Sequence, residues 1–238
     1  FLEGSTRKAI DAAWKVQRIS DKKYILEEVT IQHYYSIPFY VLVKTGQWKE
    51  IPLLKKPDER LEYPTAIWHY ARGMAFAAQY DLVLAIKELD AIKQFASNEE
   101  MKTKLIWQTN SAAELINIAE YVLSAEIAEK KKDYSAAIDY LRRAIEMEDK
   151  LMYQEPPDWF FSVRQTLGHT LLAANQPQEA EKIYLEDLQT FPENGWALMG
   201  LYKSLQMQNK VQQAIEVKKR FDKAWKWADV KIENSRIL

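Results

Sequence analysis

The chain has 238 residues, and 33 Lys and Arg against 34 Asp and Glu leave it a net charge of −1. Its 47% hydrophobic residues are enough for a core and too many for a disordered chain, while the lack of Cys excludes a disulfide scaffold, a thiolate metal site and a cysteine nucleophile. Near-neutral charge disfavours a nucleic-acid binder, which works by neutralising phosphates, and no apolar run approaches the ~20 residues that span a bilayer.

Only 6 Gly are present and few apolar runs alternate at period two, so helices are expected rather than sheets. In chain order, a small residue recurs in a fixed helical context. The first is Ala9, preceded by Glu3-Gly4-Ser5. That stretch resembles only the turn between two helices, so the first helix of this unit is expected upstream of Phe1. The second is Ile51, after Gly46-Gln47-Trp48; it is not small, and Pro38 and Pro52 fall within its two helices. Proline removes an amide donor and costs about 3 kcal/mol inside a helix, which predicts a kink and a stunted second helix. The third is Ala85, with Gly73 and Phe76 before it and Leu89 after. Ser111-x-x-Glu114 is a capping box expected to open a helix running to about Lys131. Ala137 follows, flanked by Ala125, Ala128, Leu141 and Ala144. Asp158, after Pro156-Pro157, is the expected N-cap of a helix entering at Trp159. Then come Ala180 and, beyond the separator Asn194-Gly195, Ala214, with Lys218 where a large apolar residue is usual. Phe221–Asp229, with Trp225 and Trp227, is expected to cap the array.

The separations of these six positions are 42, 34, 52, 43 and 34, so three exceed a 34-residue period, by 8, 18 and 9. The surplus segments are expected on the surface. Within the fifth unit, Leu167-Gly168-x2-Leu171 … Ala180-x3-Tyr184 … Pro192 resembles the tetratricopeptide-repeat pattern in order and in spacing. The resemblance implies an all-α fold: a right-handed α-solenoid of antiparallel helix pairs with a C-terminal capping helix. One array is expected over 1–238, with units around Ala9, Ile51, Ala85, Ala137, Ala180 and Ala214. Small residues such as Gly73, Ala125 and Gly168 would let paired helices approach, and neighbours must stack because one pair cannot bury both faces. Trp68-His69-Tyr70-Ala71-Arg72-Gly73 and Glu155-Pro156-Pro157-Asp158-Trp159 are similar to segments in the C-terminal part of uncharacterised bacterial tetratricopeptide proteins, a likeness that runs from about Val41 to the end.

In that family the first helices line a concave groove, so the resemblance implies a binding face there. Counting back from the reference positions, the first helices should expose Tyr40, Lys44, Tyr70, Met74, Glu126 and Lys130 in the earlier units, and Gln165, His169, Met199 and Lys203 in the later ones. Aromatic anchors and adaptable thioethers suit a peptide ligand; the bland alternative is that some of these side chains pack against the next unit. His69 and Arg72 are candidates on a well-matched first helix, with pairing of Arg72 to a neighbouring acid as the structural alternative. The Lys/Asn pair by which chaperone-binding members clamp a C-terminal carboxylate has no counterpart at Ser36/Tyr40, Tyr70/Met74, Val122/Glu126, Gln165/His169 or Met199/Lys203.

No local catalytic signature is present. His33, His69 and His169 lie in different units and lack metal-protease spacing, and there is no Gly-rich phosphate loop or nucleophile elbow. Lys130-Lys131-Lys132 suits a helix C-terminus, and the basic aromatic run Lys218–Trp227 reads as an end cap before a membrane patch. The expectation is a non-catalytic scaffold binding a protein or peptide, without metal or cofactor, nucleic acid or membrane span. An accessory or sensing region of a longer enzyme or regulator is the alternative, and the compartment, cytoplasmic or periplasmic, stays open.

Overall fold

The computed structural model describes residues 3–237. Their elements are α1 (Thr6–Ile19), α2 (Val29–Tyr35), α3 (Ile37–Lys44), a 3-10 turn (Ile51–Leu53), α4 (Glu62–Ala78), α5 (Leu82–Ala96), α6 (Glu100–Thr103), β1 (Leu105–Ile106) and β2 (Asn110–Ser111). They continue with α7 (Ala112–Lys130), α8 (Tyr134–Glu148), α9 (Val163–Ala173), α10 (Pro177–Thr190), α11 (Gly195–Met207) and α12 (Val211–Ala224). The fold is all-α with sequentially packed helices; the only strands among the described residues are the two-residue pair β1–β2. The chain divides into two compact units, residues 10–160 and residues 161–238 with 1–9.

One turn recurs at all six reference positions. The residue five places before each has positive φ: Gly4 (75°), Gly46 (68°), Tyr80 (63°), Lys132 (63°), Asn175 (58°) and Asn209 (58°). The reference residue then donates the first helical bond to the carbonyl four back, at 3.0–3.1 Å in Ala9, Ile51, Ala85, Ala137, Ala180 and Ala214 alike. In five of the six, the amide following the positive-φ residue bonds five residues back: Gln47 to Leu42, Asp81 to Phe76, Asp133 to Ala128, Gln176 to Leu171 and Lys210 to Leu205. This is the left-handed stop that satisfies the last carbonyls of one helix while reversing the chain into the next.

Each stop separates helices of different character. After it, α5, α8, α10 and α12 bury one stripe, as Ala137, Ile138, Leu141 and Ala144 do on α8. Before it, α4 and α7 bury most of their length: 13 of the 19 residues of α7 are buried, so this helix needs neighbours on several sides. In the unit 10–160, α7 packs on α8, α5 and α4. In the other, α10 packs on α9, and α11 on α9, α10 and α12.

The Ile51 unit departs as its prolines require. Its first helix is broken at Ser36 into α2 and α3, with Pro38 in the first turn of α3, and its second helix shrinks to the 3-10 turn around Pro52. The Ser111–Glu114 capping box opens α7, and Asn194 caps α11 by accepting from the Ala197 amide at 2.9 Å.

Three expectations are corrected. No helix begins at Trp159: α9 starts at Val163, and Asp158 is a buried side chain held elsewhere. Among the described residues no helix follows α12, and residues 225–237 run as turns and bends, so the C-terminal cap is not helical. The surplus segments are not simply superficial. The segment carrying α6, β1 and β2 buries Met101 and Ile106 completely, and the segment before α9 buries Asp158 and Trp159 to 4% exposure. Apolar or hydrogen-bonding side chains within them gain more from burial than the loops gain from solvation.

Candidate functional site

The predicted groove residues separate by depth. Tyr40, Tyr70, Met74, Glu126, Gln165 and Met199 lie at 1–6% exposure, so they are interior side chains rather than an exposed face. Their helices carry apolar side chains on more than one side, and the positions counted as outward meet neighbouring segments. His69, Arg72, His169 and Lys203 are half-buried, as are Lys44 and Lys130.

His69 and Arg72 converge on Glu88 of α5. His69 Nδ1 lies 2.5 Å from Glu88 Oε2, and Arg72 Nε donates to Oε1 at 2.9 Å. Burial raises the Glu88 carboxyl, but the bonds from His69 and Arg72 outweigh it and hold the group below its ordinary range. A second nitrogen of Arg72 donates to the carbonyl of Pro52 at 2.8 Å, and its guanidinium stacks on Trp68. Arg72 therefore satisfies a carbonyl of the stunted 3-10 turn while tying it to α4 and α5. This is the pairing with a neighbouring acid weighed as the structural alternative.

A second cluster was not singled out in the sequence. His33 Nδ1 is 2.9 Å from the Tyr63 hydroxyl, which is 3.0 Å from that of Tyr40. The Phe160 ring stacks on His33 at 5.1 Å, and Trp159 meets Tyr40 and Tyr70 edge-on. Asp158 Oδ1 stands 3.8 Å from His33 Nε2, while its Oδ2 accepts from Asn110 at 2.8 Å. The Asn110 side chain also exchanges hydrogen bonds with the Met152 backbone in both directions. Burial lowers the pKa of His33 to about 3 and pushes the Asp158 carboxyl and both tyrosine hydroxyls up. With His33, Tyr40, Tyr63, Asn110, Asp158 and Trp159 all at 4% exposure or less, the cluster is closed to substrate and fastens the segment before α9 to α2, α3 and α4. Its partners are 23–127 residues apart in the chain, beyond any local motif.

The third constellation lies on α9 and α11. Tyr184 of α10 reaches between these two helices where each has a glycine: a Cβ at Gly168 or Gly200 would lie 2.3 or 2.1 Å from Tyr184 Cζ. Both positions must stay bare for the ring to pass. Its hydroxyl ends 2.8 Å from Ser235 Oγ, and Ser235 donates to the main-chain carbonyl of Gln165 at 2.6 Å. That bond uses the serine proton, so Tyr184 is the donor in the other. Ile232, Ser235 and Arg236 are buried at 8%, 1% and 9% exposure. The face built by α9, with Tyr184, thus already holds Ser235, a residue of the protein's own non-helical segment 231–237. Beneath it, Gln165 and Asn194 both donate to Asp187 Oδ2, at 3.2 and 3.1 Å, linking α9, α10 and the start of α11. Gln165 was expected on the face; its main chain meets the segment, while its side chain turns inward. Tyr184 was legible as a packing residue and Ser235 was not legible at all.

Among the described residues, no three His, Asp or Glu side chains are placed to hold a metal ion, and no helix is long and apolar enough to cross a membrane. No protein-family model matches the chain, and no curated protein matches it.

Proposed function

We propose that the chain is a tetratricopeptide-like scaffold of right-handed helix pairs, non-catalytic, that binds a non-helical segment of a protein partner on the face of α9 and α11. One observation carries the reading: the non-helical segment 231–237 places Ser235 on this face, held through the Gln165 main-chain carbonyl and the Tyr184 hydroxyl. Both bonds use the hydroxyl of Ser235, so they select a hydroxyl side chain in the bound segment. The six-fold turn supports the repeat assignment, since a unit built on one stop and one small residue stacks with its copies. The partner is a peptide stretch with a hydroxyl residue flanked by an apolar or basic one, of the same pattern as Asn234-Ser235-Arg236-Ile237.

The test is a chain ending at Val230, which keeps Asp229 and the Trp225 Nε1 bond to the Val230 carbonyl. A labelled peptide of residues 231–238 is expected to bind it, to bind the full chain far more weakly, and to lose affinity on Ser235→Ala. A truncated chain of unchanged helicity that ignores the peptide would sink the proposal.

A further inference from the structure

In the unit of residues 161–238 with 1–9, the groove between α9 and α10 is covered by a helix, α11. Gly200 of α11 admits Tyr184, and just past the end of α11 both Gln208 and Lys210 reach Glu181 Oε2, each at 2.6 Å. One 34-residue period further on, between α11 and α12, the corresponding groove has no such helix over it among the described residues. It is a cavity of about 390 Å³ whose lining includes Tyr202, Gln206, Val211, Ile215, Lys218 and Lys219. Val211 is 62% exposed and Ile215 45%.

The period maps Pro177, Glu181, Tyr184 and Leu185 onto Val211, Ile215, Lys218 and Lys219. The charge that greets an incoming helix is therefore reversed. In the covered groove an acid, Glu181, receives Lys210; in the open one an apolar residue stands there and two lysines follow. Lys218 is bonded to Asp222 one turn on, and Lys219 is exposed. A face shaped only for water would be polar at 211 and 215 as well as at 218. We infer that this groove docks an α-helix of another protein, amphipathic and acidic, laying an apolar stripe on Val211 and Ile215 and carboxylates beside Lys218 and Lys219. The surface differs from the α9–α11 face and stands whether or not that face binds a peptide.

The probe follows from the helix that fills the covered groove. It is a labelled synthetic peptide of residues 195–210 carrying Gly200→Glu and Lys203→Glu, one turn apart, to meet Lys218 and Lys219, and Lys210→Leu, to meet Ile215. Titrated against the full chain by fluorescence anisotropy, it is expected to bind saturably. The double variant Lys218→Glu/Lys219→Glu, on exposed or half-exposed positions and checked for unchanged helicity, is expected to weaken binding by at least about tenfold. A version of the peptide with Gly200→Lys and the native Lys203 is expected to prefer the double variant to the native chain. Absence of saturable binding, or binding indifferent to the sign of charge at 218 and 219, overturns the inference. So does a dimer seen by light scattering that Ile215→Asp dissociates, since the occupant would then be a second copy.

Discussion

At the residue scale, His33 shows most plainly what burial does to an ionisable group. Its imidazole has an ordinary pKa of 6.5, and inside the fold it is held neutral down to about 3. Between these values the unfolded chain binds a proton that the folded chain refuses, so acidification favours unfolding. The His33 contribution is full above pH 6.5 and is lost as the pH falls from 6.5 towards 3. Asp158, whose pKa is raised by burial, acts in the opposite sense, because the folded chain accepts its proton first. Tyr40 and Tyr63 stay protonated throughout this range. The expected loss on acidification is on the order of a few kcal/mol, with about 1.4 kcal/mol per pH unit as its ceiling. Urea midpoints measured across this range should fall steeply for the native chain and more gently for His33→Phe; equal slopes would rule out His33 as the source. None of this was legible locally. Pro156-Pro157-Asp158 reads as the approach to a helix, and only the hairpin-borne Asn110, 48 residues earlier, turns Asp158 inward.

At the element scale, what the sequence reveals is what one turn controls. The left-handed stop needs a residue tolerant of positive φ, and a small residue stands five places on in every unit but that of Ile51, so both lie within a short window. That is why the phase was legible through Ala9, Ile51, Ala85, Ala137, Ala180 and Ala214 even where the second helix failed at Pro52. Depth was not legible: Tyr40, Met74 and Met199 look identical to groove residues until neighbouring elements close over them. The stop is also where substitutions should act with opposite signs. Lys132, exposed at φ 63°, bears the steric cost of the left-handed region, whereas Gly46 at φ 68° avoids it. Lys132→Gly should gain about 0.5 kcal/mol, the relief being partly offset by the greater freedom of glycine in the unfolded chain. Gly46→Ala should lose about 1 kcal/mol. Thermal or chemical denaturation checks both, and like-signed shifts would mean that the stop is not the controlling feature.

At the scale of the whole molecule, the chain joins its own ends within one compact unit. The amides of Thr6 and Arg7, orphans of the first turn of α1, donate to the two carboxylate oxygens of Asp229 at 2.7 and 2.9 Å, and the Asp229 amide returns a bond to the Gly4 carbonyl at 3.1 Å. Gly4 lies against Trp225 and Ala228 with no room for a Cβ. A helix cap is usually drawn from the residue just before the helix; here it comes from more than 220 residues away. The bonds from Arg7 and Thr6 hold the Asp229 carboxyl below its ordinary range, so the cap is present above the usual carboxylate pKa and is lost only in stronger acid. Nothing in Glu3-Gly4-Ser5 announces this, because the acid and its amides meet only once α12 and the segment after it are in place. Asp229→Ala should therefore speed hydrogen exchange at the Thr6 and Arg7 amides by roughly fivefold, the usual weight of a lost cap. Amides in the interior of α7, such as Ile118 and Ala119, should be unmoved, since that helix keeps its own capping box and its buried neighbours. Unchanged exchange at Thr6 and Arg7 would show that the first turn of α1 does not depend on the far end of the chain.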